Sequence, residues 1–301
     1  MSLHEAIVQK YRQAGRIAAE VREFMKRTVS EGMPIIDVCE KTEALVHQKG
    51  GKPAFPCNVS INELAAHYTS PPRDDKKVPP GSLAKIDIGV HVDGYIADTA
   101  VTVCFNREYE NLVAAAEDAL KTGVRTIRAG LFTSQFGSVI QRTIESHGLR
   151  PVANLTGHQV ARYLVHAGRS LPNVSHISAN RVAPNEVYAI EPFVTLRNAA
   201  GKVESGRQKC IFRFVKQKTL RNEHAKKLCS FIIENFQTLP FAERWLLNVV
   251  PADKHRAAFS ELLSSKTLMA YPVFVEASGK PVAQAEHSVL VTKDGCEVLT
   301  Q

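Results

Sequence analysis

The sequence predicts an α+β fold made of two comparable halves, and three observations carry that expectation. Apolar residues recur at helical spacing in several separate stretches of both halves. Two Asp-Gly pairs, Asp93-Gly94 and Asp294-Gly295, sit between β-prone runs as hairpin turns do. Each half also places two carboxylates inside apolar, strand-like segments: Asp87 and Asp98 in the first, Glu191 and Glu286 in the second.

Taken in chain order, residues 4–29 put Ile7, Tyr11, Ala14, Ile17, Val21, Phe24 and Met25 at helical spacing, and residues 35–48 predict a second helix. "KPAFPCNVSINELAAHYTSP" is punctuated by proline and reads as an extended stretch ending near His67. "KIDIGVHVDGYIADTA", residues 85–100, predicts an antiparallel hairpin, because glycine supplies the positive φ that a tight turn needs. With the turn centred between Val92 and Asp93, Asp87 and Asp98 fall directly opposite each other, their Cβ atoms about 5 Å apart. Like charges so placed destabilise a sheet, and their burial requires either a cation between them or a proton on one. A register shifted by one residue leaves each aspartate to cap a turn or face solvent instead.

Residues 108–129 and 133–147 predict two further amphipathic helices, the second stopping at Gly148. "ANLTGHQVARYLVHAG" is a short apolar stretch with two histidines, and "EVYAIEPFVTL" is strand-like. Residues 197–221 are polar and basic; within them "RQKCIFRFVKQKTLR" fits a pair of short strands or a strand leading into a helix. Helical spacing returns over 220–265, through "LPFAERWLLNVV" and "DKHRAAFSELLSS", and "PVAQAEHSVLVTKDGCEVLT" closes as a second hairpin.

Composition narrows the function classes. The chain has 301 residues, 44% hydrophobic and 23% charged, which is ordinary for a globular protein. No apolar run approaches the roughly 18 residues that a membrane span requires. The start enters a helix without a signal-peptide core, so the cytoplasm is the expected location. Six scattered cysteines lack the CxxC spacing of a zinc knuckle and suggest no disulfide framework. A net charge of +8 favours polyanionic surroundings, although a solvated basic surface is the more common explanation of such a charge.

Asp87, Asp98, His158, Glu191 and Glu286 are the polar intruders in the most apolar strand-like stretches. Four carboxylates converging on one point carry a charge near about −4, which a folded interior tolerates only with cations. Two divalent ions balance that charge, and an oxygen-rich set with one imidazole suits Mn, Fe, Co or Zn. A pair of such ions sharing a carboxylate activates water for hydrolysis.

The residues around this set carry a family resemblance. "HYTSP", "KIDIGVHVDGYIADTA", "LTGHQV", "LVHAG", "AIEPF" and "VAQAEHSVLV" occur in that order, and together they resemble the type II methionine aminopeptidases of the pita-bread fold. The likeness covers roughly residues 4–301. "AFPCNVSINELAAHYT" and the long helical stretch with "LPFAERWL" favour type II, and the lack of an extension before the first helix resembles the short archaeal form.

The resemblance implies one catalytic domain over 1–301 with two pseudo-symmetric halves and a helical insert at 197–270. It implies two divalent metal ions held by Asp87, the bridging Asp98, His158, Glu191 and the second bridge Glu286. It further implies that His67 contacts the scissile amide and helps the leaving group. His166 is expected to hydrogen-bond the substrate carbonyl, Glu191 to serve as general base, and Phe55, Val165 and Tyr271 to line a small methionine pocket. The family demands a small second residue in its substrates, a rule that this chain's own Met1-Ser2 meets. Type II enzymes carry a pocket histidine after the "IEPF" strand; "RNAAGKVESGRQKC" has none, and Gln208 or Lys209 is the expected replacement.

The implied activity is removal of initiator methionine from nascent chains, by a monomer with no membrane partner. Two alternatives stand beside it. An Xaa-Pro aminopeptidase or dipeptidase of the same fold resembles this chain in all of its metal ligands, but such enzymes carry a large additional N-terminal domain. A non-catalytic relative binding RNA or the ribosome is the other, suggested by the basic run Arg207 to Arg221, whose simpler explanation is a solvated face.

Overall fold

The computed structural model describes residues 5–301, so Met1-Ser2 lies outside the described residues. The first half opens with helices α1 (Glu5–Thr28) and α2 (Ile35–Gln48), close to the predicted bounds. Strands β1 (Lys52–Pro53), β2 (Asn58–Ile61) and β3 (Leu64–Ala66) follow, and then the hairpin of β4 (Leu83–Val92) and β5 (Tyr95–Cys104). β4 is central, flanked by β1, β2 and β5. Helix α1 packs on it, so that Ile17, Val21 and Met25 share one apolar core with Ile86, Ile88 and Val90.

The hairpin forms in a register different from the expected one. Asp93 and Gly94 both adopt positive φ, 51° and 86°, so they make up the two-residue turn themselves and Val92 pairs with Tyr95. Asp87 therefore opposes Ala100, and Asp98 opposes Gly89. The aspartates remain on one face of the ladder, as diagonal rather than direct neighbours.

The second half has helices α3 (Glu110–Thr126) and α4 (Thr133–Ser146) and strands β6 (Arg150–Pro151), β7 (Thr156–Val160), β8 (Ser170–Pro172), β9 (Val187–Ile190) and β10 (Phe193–Thr195). After the inserted segment come β14 (Val282–Gln284), β15 (His287–Val291) and β16 (Cys296–Val298). Here α3 and α4 share a core with Tyr188, Ile190 and Val289, which mirrors the packing of α1 on the first sheet.

Between β10 and β14 lie β11 (Val203–Phe214), α5 (Glu223–Phe236), β12 (Phe241–Ala242), α6 (Ala252–Ser264) and β13 (Leu268–Glu276). The two helices close over their own cluster, which includes Phe212, Leu228, Ile232, Phe241 and Phe259. The stretch "RQKCIFRF" belongs to one long strand rather than two short ones. "LPFAERWLL" is not helical: Phe241 and Ala242 pair with Phe212 and Ile211, and a short 3-10 turn, Glu243–Leu246, follows. Pro240 lacks the amide proton of a helix interior and pushes Leu239 toward extended backbone, which accounts for the difference. Among the described residues no helix is long and apolar enough to cross a membrane.

Candidate metal centre and substrate cavity

Asp87 and Asp98 project from within β4 and β5, whereas the second half delivers its two carboxylates at breaks between strands. β9 pairs with β15, and β10 with β14, in what would be one antiparallel ladder were it not interrupted on both sides at once. Glu191 and Glu286 occupy these interruptions, outside the strands in which they were expected. Pro192 after Glu191 cannot donate to the ladder, and strands tolerate proline at such irregularities. Ala285 donates to the Pro192 carbonyl across the break, and Glu286 turns to the first half, its amide donating to the Ala100 carbonyl at 3.1 Å.

His158 stands on β7 behind Gly157, where any side chain is excluded: a Cβ there would lie 2.4 Å from the Ala189 carbonyl oxygen. That close approach of β7 to β9 brings His158 Nε2 to 3.3 Å from Glu191 Oε1 and 3.7 Å from Asp98 Oδ2. Donor atoms of Asp98, His158 and Glu286 all lie within 4.8 Å of one another. Asp87 joins them on the wall of a single cavity of about 190 Å³, together with His67, His166, Phe55, Val165 and Tyr271. The expected metal ligands, both histidines and the three apolar pocket residues thus meet at one place.

The cavity shows that the acid set is electrostatically incomplete by itself. Burial pushes the carboxyls of Asp98, Glu191 and Glu286 well above the usual carboxylate range, and the neighbouring carboxylates add to the effect. Asp87 is likewise raised by burial. Asp87 Oδ1 and Asp98 Oδ1 are buried without a hydrogen-bond partner. Buried oxygens so rarely lack partners that a cation is the natural complement, and the donor set of carboxylates with one imidazole fits divalent metal ions.

The two remaining histidines differ in setting. His67 is half-buried, with a backbone φ of 66° that non-glycine residues seldom adopt. It sits beside the rings of Phe274 and Tyr271, with centroid distances of 4.7 and 5.7 Å. Burial, reinforced by nearby His166, pushes its imidazole down to about 4, and its Nδ1 has no partner. His166 lies at the solvent-exposed rim, its ring centroid 4.2 Å from that of His158.

The pocket lining departs from expectation at one position. Gln208 accepts a hydrogen bond from Lys76 at the surface, and Lys209 lies beside Phe212 and Arg256, away from the cavity. Ile211, farther along β11, faces the cavity in their stead, so an apolar side chain occupies this wall. Register irregularities between Ser205 and Ile211 change which side chains face inward, and no periodicity in the sequence signals them. Asn58, Thr156, Phe193, Pro240 and Phe274 also stand on the cavity wall, unanticipated from the sequence. Asn58 was traceable in principle, since it lies in the signature stretch around Phe55 and pairs across the ladder with Asp87.

Residues 9–293 match the model of metallopeptidase family M24. The methionine aminopeptidase of Methanothermobacter thermautotrophicus is 42% identical over 298 residues, covering 98% of this chain and 99% of that protein. The methionine aminopeptidase of Pyrococcus horikoshii is 40% identical, with 98% and 99% covered. Among solved structures, methionine aminopeptidase from Thermotoga maritima superposes with a TM-score of 0.72 at 19% identity, covering 100% of this chain and 99% of that one. A thermophilic Arx1 superposes with a TM-score of 0.82 at 17% identity, covering 99% and 91%. Prolidase from Pyrococcus furiosus gives 0.63 at 16% identity, but only 65% of that chain is covered. These three likenesses establish the pita-bread fold.

Proposed function

Because the chain belongs to metallopeptidase family M24, we infer that it is a methionyl aminopeptidase, removing the initiator methionine from proteins with a small second residue by metal-dependent hydrolysis. The observation that carries this reading is the convergence of four carboxylates and His158 at one end of a small cavity whose walls include Phe55, Val165, Ile211 and Tyr271. Such a cavity suits one apolar side chain next to a hydrolytic centre.

Asp87, Asp98, His158, Glu191 and Glu286 would hold two divalent ions; Co, Mn, Fe and Zn all suit these donors. When bound, the ions supply Lewis-acid polarisation of the scissile carbonyl and make water acidic enough to attack near neutral pH.

The protein groups divide the remaining work. Glu191, at the break after β9, takes the proton of the attacking water on a carboxylate oxygen and passes it toward the departing amine. His67 Nδ1 is buried without a partner, which leaves it available as an acceptor for the scissile N–H. Its depressed pKa keeps it neutral at pH 7, so it does not add to the cations' repulsion. His166 at the rim hydrogen-bonds the substrate carbonyl oxygen and the negative charge that develops there. The apolar walls exclude water and reward methionine over polar side chains.

The stretch after β10 is proposed as an inserted subdomain that contributes Ile211 and Pro240 to the pocket. Arg207, Lys209, Lys216, Lys218 and Arg221 are all exposed, which supports contact with a polyanion such as ribosomal RNA as a secondary property.

The deciding experiment measures methionine release from Met-Ala-Ser and Met-Pro peptides by metal-free protein and after addition of Co or Mn, with an Ala-Pro dipeptide in parallel. Metal-dependent release from the methionyl peptides alone is expected. Cleavage of the Ala-Pro dipeptide alone would transfer the protein to the prolidase branch, and no cleavage with any metal would leave a binding protein.

A further inference from the structure

Two features are left unused by this reading: the stretch "LPFAERWL" and the buried carboxylate of Glu43 on α2. In the structure they meet. Glu43 Oε1 accepts from the Cys57 amide at 3.1 Å and from Arg244 Nη2, while Oε2 accepts from Trp245 Nε1 at 2.8 Å. The ion pair is nearly sealed, with the Glu43 and Arg244 side chains 10% and 3% exposed. It joins segments 201 residues apart in the chain.

A sealed ion pair is a poor source of net stability, because desolvating both charges offsets most of their attraction. What charge-assisted bonds of this kind do supply is a fixed distance between the elements that carry them. Here those elements are the walls of the substrate cavity. Cys57 is separated from Phe55 only by Pro56, and the Phe55 ring fills the space left open by Gly89, where a Cβ would come within 2.3 Å of it. Arg244 follows Pro240, another wall residue, through the two-residue strand β12. Ala242 of that strand pairs with Ile211, a third wall residue, and Leu239 packs in one cluster with Phe55 and Val165.

We propose that Glu43 is a positioning residue for substrate selection: by clamping the Cys57 amide, Arg244 and Trp245 together, it sets the spacing between the Phe55 wall and the Pro240–Ile211 wall that receive the first side chain of the peptide. The proposal rests on the aminopeptidase reading. It assigns the inserted segment a specific task, which is to close the far side of the pocket at a distance dictated from α2.

The test compares kcat/KM on Met-Ala-Ser, norleucine-Ala-Ser and Leu-Ala-Ser for the metal-loaded wild type, Glu43→Gln and the milder Trp245→Phe. Metal affinity and near-UV circular dichroism are measured on the same samples. The preference for methionine over leucine is expected to fall about tenfold in Glu43→Gln and less in Trp245→Phe, the scale on which apolar pockets discriminate single groups. KM for methionyl peptides rises, and metal affinity stays unchanged. Folded variants that keep the wild-type preference, or that lose rate equally on all three peptides, overturn the proposal. If Glu43→Gln does not fold, Trp245→Phe and Arg244→Lys decide by the same ratio. If the wild type itself releases no methionine, the functional reading fails. Calorimetric binding of methionine against leucine to wild type and variants then judges the clamp alone, an unchanged ratio counting against it.

Discussion

Asp98 and Ser288 are joined through both polar groups of one residue's backbone: the Ser288 hydroxyl accepts from the Asp98 amide at 2.7 Å and donates to the Asp98 carbonyl at 2.9 Å. Ser288 belongs to β15 of the second half and Asp98 to β5 of the first, so a single hydroxyl sutures the two halves beside the acid set. Thr99 adds a second stitch, donating to the Glu286 carbonyl at 2.8 Å while it accepts from Arg22 at 2.7 Å.

Ser288→Ala removes both bonds and leaves a buried amide unsatisfied. A loss of about 1–3 kcal/mol in unfolding free energy is expected, since that is the penalty for an orphaned buried donor. Metal affinity should fall roughly 10- to 100-fold, as it does when the groups orienting a ligand are lost. Urea unfolding and calorimetric metal titration check the two effects, and wild-type values in both would contradict the described linkage.

The raised carboxyls make the metal-free protein sensitive to alkali. Their folded-state pKa values lie above those of the unfolded chain, so the folded state holds protons more tightly. Their contribution is fully present below the unfolded pKa near 4 and is lost as pH rises toward the folded values. Asp87, pushed up to about 7 by burial, puts part of this loss between pH 5 and pH 8, so metal-free protein should melt at a lower temperature at pH 8 than at pH 5, and bound metal should abolish the difference. Binding should also release protons, detectable as a dependence of the calorimetric heat on the buffer.

His91 titrates with the opposite sense. It is buried, and its Nδ1 accepts from the Gly94 amide at 3.0 Å, which closes the hairpin turn. Burial, aided by Lys52, lowers its pKa to about 4. Its stabilising contribution is present above the unfolded value of about 6.5 and is lost as pH falls through the folded one. The stability advantage of wild type over His91→Gln should shrink between pH 7 and pH 4 by up to about 3 kcal/mol. A pH-independent difference would mean that His91 binds its proton as readily in the folded protein as in the unfolded chain.

His67→Ala should lower kcat by roughly two to four decades, the scale of one lost proton-transfer or hydrogen-bonding group. It leaves metal affinity intact, because His67 contacts Tyr271 and Phe274 rather than the carboxylates. Loss of metal in this variant would assign His67 to the ligand set.

How much of this was legible follows from the range over which each signal acts. The bounds of α2 and the course of α4 could be read because helical periodicity is local, and the acid set stood out because carboxylates in apolar runs are conspicuous. The hairpin register was misjudged because the turn was centred between Val92 and Asp93, whereas Asp93 and Gly94 together form it with positive φ at both, as an Asp-Gly turn requires. β13 was not anticipated: Pro272 lies within it, opposite Lys209 at an irregular point in the ladder, where a proline normally argues against a strand. The clamp from Glu43 to Arg244 joins segments too distant for any spacing rule to detect.

The division of the acids between halves also has a consequence in time. Asp98 and the Ser288 that anchors it are separated by 190 residues, and Glu286 arrives with the same late segment. During synthesis the first hairpin leaves the ribosome well before its counterpart exists. A chain interrupted anywhere before residue 286 lacks Glu286 and the Ser288 hydroxyl that holds the Asp98 backbone. The complete acid set thus waits for the segment that brings Glu286 and Ser288.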